Sequence, residues 1–412
     1  MFNVTVPDHV PKELVDSFNV FTMDPRADIF TEIGALHETR PPIFYNTTPQ
    51  MDRTFTRGAW QVTSMDLIRE IMRTPADFSS VGISGFNELI QMGYELMIPI
   101  DTDPPLHARV RGIIREHLLP ANIEKLSSGI RELARDLVRR CIDQGDCEFV
   151  RDVASIYPTQ IFLLLMGLPM EEADEFLAWE AALLQPDPND LEKTRDAIRK
   201  IVARVRKGFD ERREEPGDDF LTLLVKADVT EELRLGLGFN LFVGGLDTVM
   251  NQLTWVFKYI GERPGLQREL RGKPDSIASA LEEIMRLNSV LTTRRFVTRD
   301  LEFHGVRFKK GDSIELFMAA GNLDGEAFEN PSEPDLARKP NRHLGFGWGP
   351  HMCVGMHLAR LEMRILVEEW LEAIPEFFVM RPDELEFHLG IWGLNALPLG
   401  WEAHAADADA LA

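Results

Sequence analysis

The chain has 412 residues, 44% of them hydrophobic, enough for a sizeable core. Its 45 Lys and Arg stand against 67 Asp and Glu, a formal net charge of −22, which argues against nucleic acid as a partner. Three cysteines, Cys141, Cys147 and Cys353, fit a reducing compartment rather than a disulfide framework.

The segment from Met1 to Asp8 has neither a basic nor an apolar signal-peptide region, so a cytoplasmic protein is expected. Residues 53–62 alternate like a hairpin. Helical periodicity then covers 64–73, 106–118, 122–143, 152–167, 171–184, 190–213, 230–261, 276–288 and 354–372. Strands are expected at 294–298, at 301–308 with a His304-Gly305 turn, at 312–317 and at 385–400. The long loops 75–105 and 322–352 have the length of lids or cofactor loops. Leu235 to Ile260 is apolar but interrupted by Asn240, Asp247, Thr248, Asn251, Gln252 and Lys258, the pattern of a buried helix rather than a membrane span. No repeat or long linker divides the chain. The expectation is one mostly α domain over 1–412 with small peripheral β-sheets. Cys141 and Cys147 read as small buried hydrophobes.

Four groups of residues carry chemistry. After Pro104-Pro105, His107 and Arg111 lie one helical turn apart. In the central helix, Gly244-Gly245-Leu246-Asp247-Thr248 breaks helix rules. Each interior glycine costs about 0.5–1 kcal/mol, and an acid among apolar residues needs a partner. The glycines clear room for a small ligand, and Thr248 can bond the Gly244 carbonyl and open the helix there. The plainer alternative is tight packing on glycine with a surface acid. Glu283 and Arg286 share a helix face at i, i+3. Last, Phe346-Gly347-Trp348-Gly349-Pro350-His351-Met352-Cys353-Val354-Gly355 puts one thiol in a glycine-rich turn just before a helix. The helix dipole and free N–H groups favour its thiolate, and Gly349 and Gly355 let backbone approach a flat partner while Phe346 packs beside the sulfur. A lone thiolate of this kind suits the axial position of haem iron better than zinc or a disulfide; a structural cysteine is the alternative.

The pattern Phe-x-x-Gly-x-x-x-Cys-x-Gly resembles the haem-binding loop of the cytochromes P-450, with Phe346, Gly349, Cys353 and Gly355 in register. Gly-Gly-Leu-Asp-Thr resembles the oxygen-handling segment of that family. Glu283 and Arg286 resemble its Glu-x-x-Arg motif, completed by Arg338. The resemblance covers nearly the whole chain and leans to the soluble bacterial camphor-hydroxylase branch, in Glu302-Phe303-His304-Gly305-Val306 and His357-Leu358-Ala359-Arg360 among others. It implies the cytochrome P-450 fold and a haem b monooxygenase using dioxygen. Cys353 would ligate iron, with Gly244 and Gly245 making room beside the haem. His107, Arg111, Arg295 and His351 would hold the propionates. Asp247 would gate proton entry, and Thr248 would hold the oxygen end of the relay. Glu283, Arg286 and Arg338 would be structural.

The pocket departs from the camphor branch. Glu95, beside Tyr94, falls where that branch places a substrate-binding tyrosine, and Thr293 and Asn240 replace its residues. The expected walls are Phe86, Tyr94, Met97, Asn240, Val243, Gly244, Leu291, Ile391 and Trp392, suiting a terpenoid or norisoprenoid (ionone-like) substrate. Arg109, Arg115, Lys339, Arg342, Arg360 and Arg364 would form a basic patch over the sulfur side of the haem. By resemblance it would steer a 2Fe–2S ferredoxin, itself served by a ferredoxin reductase, onto a monomer. A peroxide-using haem-thiolate enzyme and a haem or terpenoid sensor are the competing readings; the acid–alcohol pair speaks against both.

Overall fold

The computed structural model describes residues 4–19, 29–49, 58–85, 95–184, 190–374, 376–388 and 392–402. Among these lie ten helices of nine residues or more: α1 (Met65–Arg73), α2 (Leu106–Arg115), α3 (Ser127–Ile142), α4 (Ile156–Met166), α5 (Ala173–Leu184), α6 (Leu191–Glu214), α7 (Glu231–Gly261), α8 (Pro264–Gly272), α9 (Ile277–Leu287) and α10 (Met356–Ala373).

Helix α7 is the axis of the fold. Thr230 starts it by accepting a hydrogen bond from the Leu233 N–H at 3.4 Å, and Glu231 and Glu232 in its first turn suit the positive end of the helix dipole. Leu237, Phe239, Phe242, Leu253, Val256 and Phe257 are at most 1% exposed and point in several directions around it. A helix buried on most sides must be held by its neighbours, and each such side chain contributes roughly 1.5–3 kcal/mol. Helices α4, α5, α6, α9 and α10 supply that packing.

The strands are β1 (Val15–Asp16), β2 (Ile43–Asn46), β3 (Ala59–Val62), β4 (Phe78–Ser79), β5 (Asp146–Glu148), β6 (Thr293–Val297), β7 (Leu301–Phe303), β8 (Val306–Phe308), β9 (Ser313–Leu316), β10 (Phe377–Val379), β11 (Phe387–His388), β12 (Gly393–Leu394) and β13 (Pro398–Trp401). Six of them form a sheet in the order β1-β2-β3-β9-β6-β4, over a second apolar cluster that includes Trp60, Phe78, Phe308 and Ile314. On β6, Arg295 pairs opposite Ile314 and lies on the same buried face as Val297. The strand period thus turns a cation inward. The β7–β8 hairpin turns on His304 (φ 48°) and Gly305 (φ 79°), the primed geometry that suits a two-residue turn.

Every expected helix is present, shifted by a few residues at most. Shorter helices at Ile29–Gly34, Leu36–Thr39, Phe220–Lys226 and Met318–Asn322, together with α8, were not expected, because runs this short carry little period. The expected hairpin is realised by β3 pairing with β2, whose run Ile43-Phe44-Tyr45-Asn46 lies outside the predicted window; residues 53–57 lie outside the described residues. The strand predicted over 385–400 breaks into β11, β12 and β13, the last pairing with β10 and β5. No helix among the described residues is long and apolar enough to cross a membrane.

Candidate active site

Cys353 sits two residues before Gly355, which caps α10. Its own N–H is held by the Phe346 carbonyl at 2.7 Å, and Gly347 bonds back to Leu344 at 2.7 Å, so the loop folds tightly on itself. Gly349 has φ +69°, and a Cβ there would meet the Met72 carbonyl of α1 at 2.8 Å. The left-handed backbone and the neighbouring helix therefore both demand glycine at Gly349. Arg69 on α1 reinforces this contact, stacking 4.4 Å over the Trp348 ring and donating to the Arg342 carbonyl at 2.6 Å.

The thiol is deep in the protein, yet its side chain keeps accessible area, so it borders internal space. Burial raises its pKa; the Gly355 N–H and the charges of Arg111 and Arg360 pull the other way and lose. The N–H at the helix start does favour the thiolate, as the sequence suggests, but burial outweighs it. Desolvation wins until a positive charge meets the sulfur, which is what a metal ion provides.

Behind the loop, Glu283 on α9 is fully buried and fully partnered. Arg286 grips it with two bonds of 2.8 and 2.9 Å, Arg338 donates at 3.1 Å, Asn341 at 3.0 Å and the Asp335 N–H at 3.0 Å. Arg286 spends its other nitrogen on the carbonyls of Asn322 and Pro331, both at 2.7 Å. The three residues named for this role do meet, and Asn341, which carried no motif, completes the group. A buried charge with every lone pair met fixes the segment 331–341 that leads into the Cys353 loop.

In front of the thiol, a different set converges. The rings of His107 on α2 and His351 lie 3.9 Å apart, and the Nε2 of each has no hydrogen-bond partner. Burial, followed by the charge of Arg111, lowers the pKa of His107. Burial lowers His351 to about 3, helped by His107, Arg295 and Arg111. Arg111 donates to the Met352 carbonyl, next to Cys353. Arg295 is 3% exposed and bonds the Arg294 carbonyl at 2.7 Å; burial lowers its pKa to about 10, with only Asp103 opposing. Two arginines and two unsatisfied imidazoles around one place, without a carboxylate ion pair among the described residues, suit an anion with several oxygens. The two propionates of haem fit this donor set, and Cys353 fits its iron.

On α7, a Cβ added at Gly244 or Gly245 would meet nothing within 4 Å, and both glycines are exposed on a helix otherwise largely buried. They border open space, as a ligand face requires. Thr248 Oγ1 donates to the Gly244 carbonyl at 3.0 Å, as expected, but the helix runs on without a break. Asp247 accepts from Asn251 Nδ2 at 2.7 Å. Of the expected pocket walls, Phe86, Tyr94 and Ile391 lie outside the described residues. Val243 and Leu291 are partly buried, Met97 is 4% and Asn240 6% exposed, and the Asn240 Oδ1 has no partner. Trp392, 3% exposed, packs its ring against Phe30 and Phe317. Glu95 accepts from the Met97 N–H at 3.0 Å, and its carbonyl lies 2.9 Å from a Cβ built at Gly236, so the loop closes directly on α7.

A family model described as Cytochrome P-450 matches residues 277–374. The chain is 32% identical over 412 residues to the probable cytochrome P-450 127A1 of Sinorhizobium fredii (strain NBRC 101917 / NGR234), covering 96% of this chain and 97% of that protein. It is 31% identical over 318 residues to cytochrome P-450-terp of a Pseudomonas species, covering 72% of this chain and 74% of that one. Among solved structures, CYP101J2 aligns with a TM-score of 0.84 at 29% identity, over 96% of this chain and 99% of that chain. CYP101C1 aligns with a TM-score of 0.85 at 29% identity, over 97% and 100%. Proteins of this kind bind haem b through a cysteine thiolate, in keeping with Cys353 and the donors that face it. The chain belongs to the cytochrome P-450 family of haem-thiolate monooxygenases.

Proposed function

We propose that this monooxygenase hydroxylates a small hydrophobic terpenoid or norisoprenoid, an ionone-like alcohol, ketone or ether, with electrons from a 2Fe–2S ferredoxin. The observation that carries the reading is the segment Gly244–Thr248, where a glycine step opens on internal space beside a hydrogen-bonded acid and an alcohol. Haem, when bound, supplies dioxygen binding and cleavage. The chain supplies everything around it. Cys353 ligates the iron, and His107, Arg111, Arg295 and His351 hold the propionates. Thr248 carries a hydroxyl proton at the open face, and Asp247, one residue away, feeds it. The walls at Met97, Val243 and Leu291 are apolar, while Asn240 adds one amide able to bond a substrate hydroxyl or ketone. The sequence resemblance to the camphor-hydroxylase branch supports the terpenoid class.

The docking patch is smaller than the sequence suggested. Both nitrogens that Arg360 presents are taken by Glu282 at 2.7 Å, and Arg364 lies 3.8 Å from Glu368. Among the described residues Arg109 bonds the neutral carbonyl of Asp228 and no carboxylate, and so keeps its charge to offer. The ferredoxin would therefore be steered by Arg109, Arg115, Lys339 and Arg342.

The experiment is a haem spin-state titration of the purified holoprotein with a panel of monoterpenoid and norisoprenoid alcohols, ketones and ethers. The compounds that shift the spectrum are then turned over with a surrogate ferredoxin and reductase. Spin shifts matched by NADH-dependent hydroxylated product support the proposal. A panel that leaves the spectrum flat removes it.

A further inference from the structure

Residues 95–103 form a strap knit by its own short-range bonds. The Glu95 carboxylate accepts from the Met97 N–H at 3.0 Å, the Met97 carbonyl from the Asp101 N–H at 2.8 Å, and the Pro99 carbonyl from the Thr102 hydroxyl at 2.7 Å. Asp101 accepts from the Ser84 N–H at 2.9 Å and from the Ser84 hydroxyl. Asp103 takes the Ser79 hydroxyl at 2.6 Å and the Ser80 N–H at 2.9 Å. Its carbonyl holds the His107 N–H at 3.0 Å, so the strap runs straight into α2 and the donors that face the haem. Leu96, Met97 and Ile98 are at most 4% exposed. A buried segment bonded this densely passes a push on one residue to the rest.

The other end of the strap rests on α7, and it does so because residue 236 is glycine. A Cβ at Gly236 would meet the Glu95 carbonyl oxygen at 2.9 Å, Ile98 Cδ1 at 3.0 Å and Ile98 Cγ1 at 3.2 Å. Ordinary contact begins near 3.4 Å, and the nearest of these atoms is backbone, so a single methyl group would lift the strap by a few tenths of an ångström. The helix itself gains nothing from a glycine at this point, where φ is ordinary. The seat is also in line with the open face of α7. Gly236, Asn240 and Gly244 are four residues apart and share one side of the helix. The Asn240 Oδ1 is buried with no partner among the described residues, and Gly244 borders open space. At 1.5 Å per residue, the seat lies about 12 Å along the helix from Gly244.

From this arrangement we infer that Gly236 is a specificity-determining residue that limits the length of the substrate. By letting the strap seat directly on α7, it sets the far wall of the cavity about 12 Å from Gly244. Met97, carried between the two residues that touch the seat, faces that wall with apolar surface. Compact ring compounds fit inside this limit, and extended chains do not. The inference rests on the proposed reading of α7 as the substrate wall. It does not rest on the terpenoid class, because it concerns length alone. Gly236 is a positioning residue: it acts through residues 95–98.

The test titrates the holoprotein with 1-alkylimidazoles of increasing chain length, whose ring nitrogen binds haem iron and shifts its absorption whatever the natural substrate. Wild-type affinity should climb with each methylene and then drop beyond a limiting length. Gly236→Ala should move that limit outward by at least one carbon. The first azole that the wild type excludes should bind roughly fourfold tighter, the worth of about one buried methylene, with 1-methylimidazole unchanged. Gly238→Ala is the control for packing strain. Its Cβ would meet Val205 Cγ1 of α6 at 2.7 Å, away from the strap, so its thermal midpoint should fall while the length limit stays. If the wild type shows no limiting length, α7 is not the substrate wall, and the proposed cavity falls together with this inference. If the limit exists but Gly236→Ala leaves it in place, or Gly238→Ala moves it equally, only the role of Gly236 is overturned. A terpenoid panel that gives no spin shift leaves all of these outcomes readable. Should Gly236→Ala fail to hold haem, Ile98→Ala decides, because it opens the same seat from the strap side. A limit that moves outward there supports the inference, and one that stays overturns it.

Discussion

The two sides of Cys353 handle polarity in opposite ways. Behind it, the buried carboxylate of Glu283 meets two arginines, an asparagine and a backbone N–H, and its own chain satisfies it completely. In front of it, His107 Nε2, His351 Nε2 and Asn240 Oδ1 are buried with no partner among the described residues, and Gly244 and Gly245 face open space. A buried group left unmet is costly, and three of them gathered before one sulfur mark a place where something else can meet them. The rear of the loop is built to be rigid; the front is built to receive.

That contrast can be broken in steps. The largest effect belongs to the sulfur itself. Cys353→Ser should abolish the thiolate-type absorption of the reduced, CO-bound protein and take hydroxylation to background, while far-ultraviolet circular dichroism stays that of the wild type. Next comes the rear cluster. Glu283→Ala strands Arg286, which is 0% exposed, without its carboxylate and should cost about 3–5 kcal/mol in urea unfolding of the holoprotein. If that variant were as stable as the wild type, the distinction between a self-satisfied rear and a ligand-satisfied front would collapse.

The smallest effect tests the edge of the rear. Burial disfavours the charge on Glu282, but hydrogen bonds from His343 and Arg360 outweigh it and hold the group at about 2 rather than 4.5. A depressed carboxylate pKa stabilises the fold above the unfolded value, near 4.5, and that gain is lost as pH falls toward 2. Arg360→Ala should therefore move the acid-unfolding midpoint upward, with a loss of about 1 kcal/mol at neutral pH because Arg360 is partly exposed. An unchanged acid midpoint would show that His343 holds Glu282 alone.

The helices were legible because their apolar residues recur every three or four positions, and the thiolate loop was legible because glycines and a lone cysteine leave few other chemistries. Short elements were missed for want of period, as at Met318–Asn322. Asn341 was missed for a different reason: it lies on an ordinary stretch with no motif, and gains its role only from a partner 58 residues away (Glu283).

By itself, then, the order of amino acids determined the helical class and marked the lone sulfur before the last long helix, Asp247 beside Thr248, and the His107–Arg111 pair one turn apart, since each follows from local spacing and side-chain chemistry. Tertiary packing decided which charges stay free. It silenced Arg360 by pairing it with Glu282 and raised the thiol above its ordinary pKa. Solvation and long-range pairing set those outcomes, and neither is written in any local stretch of the chain.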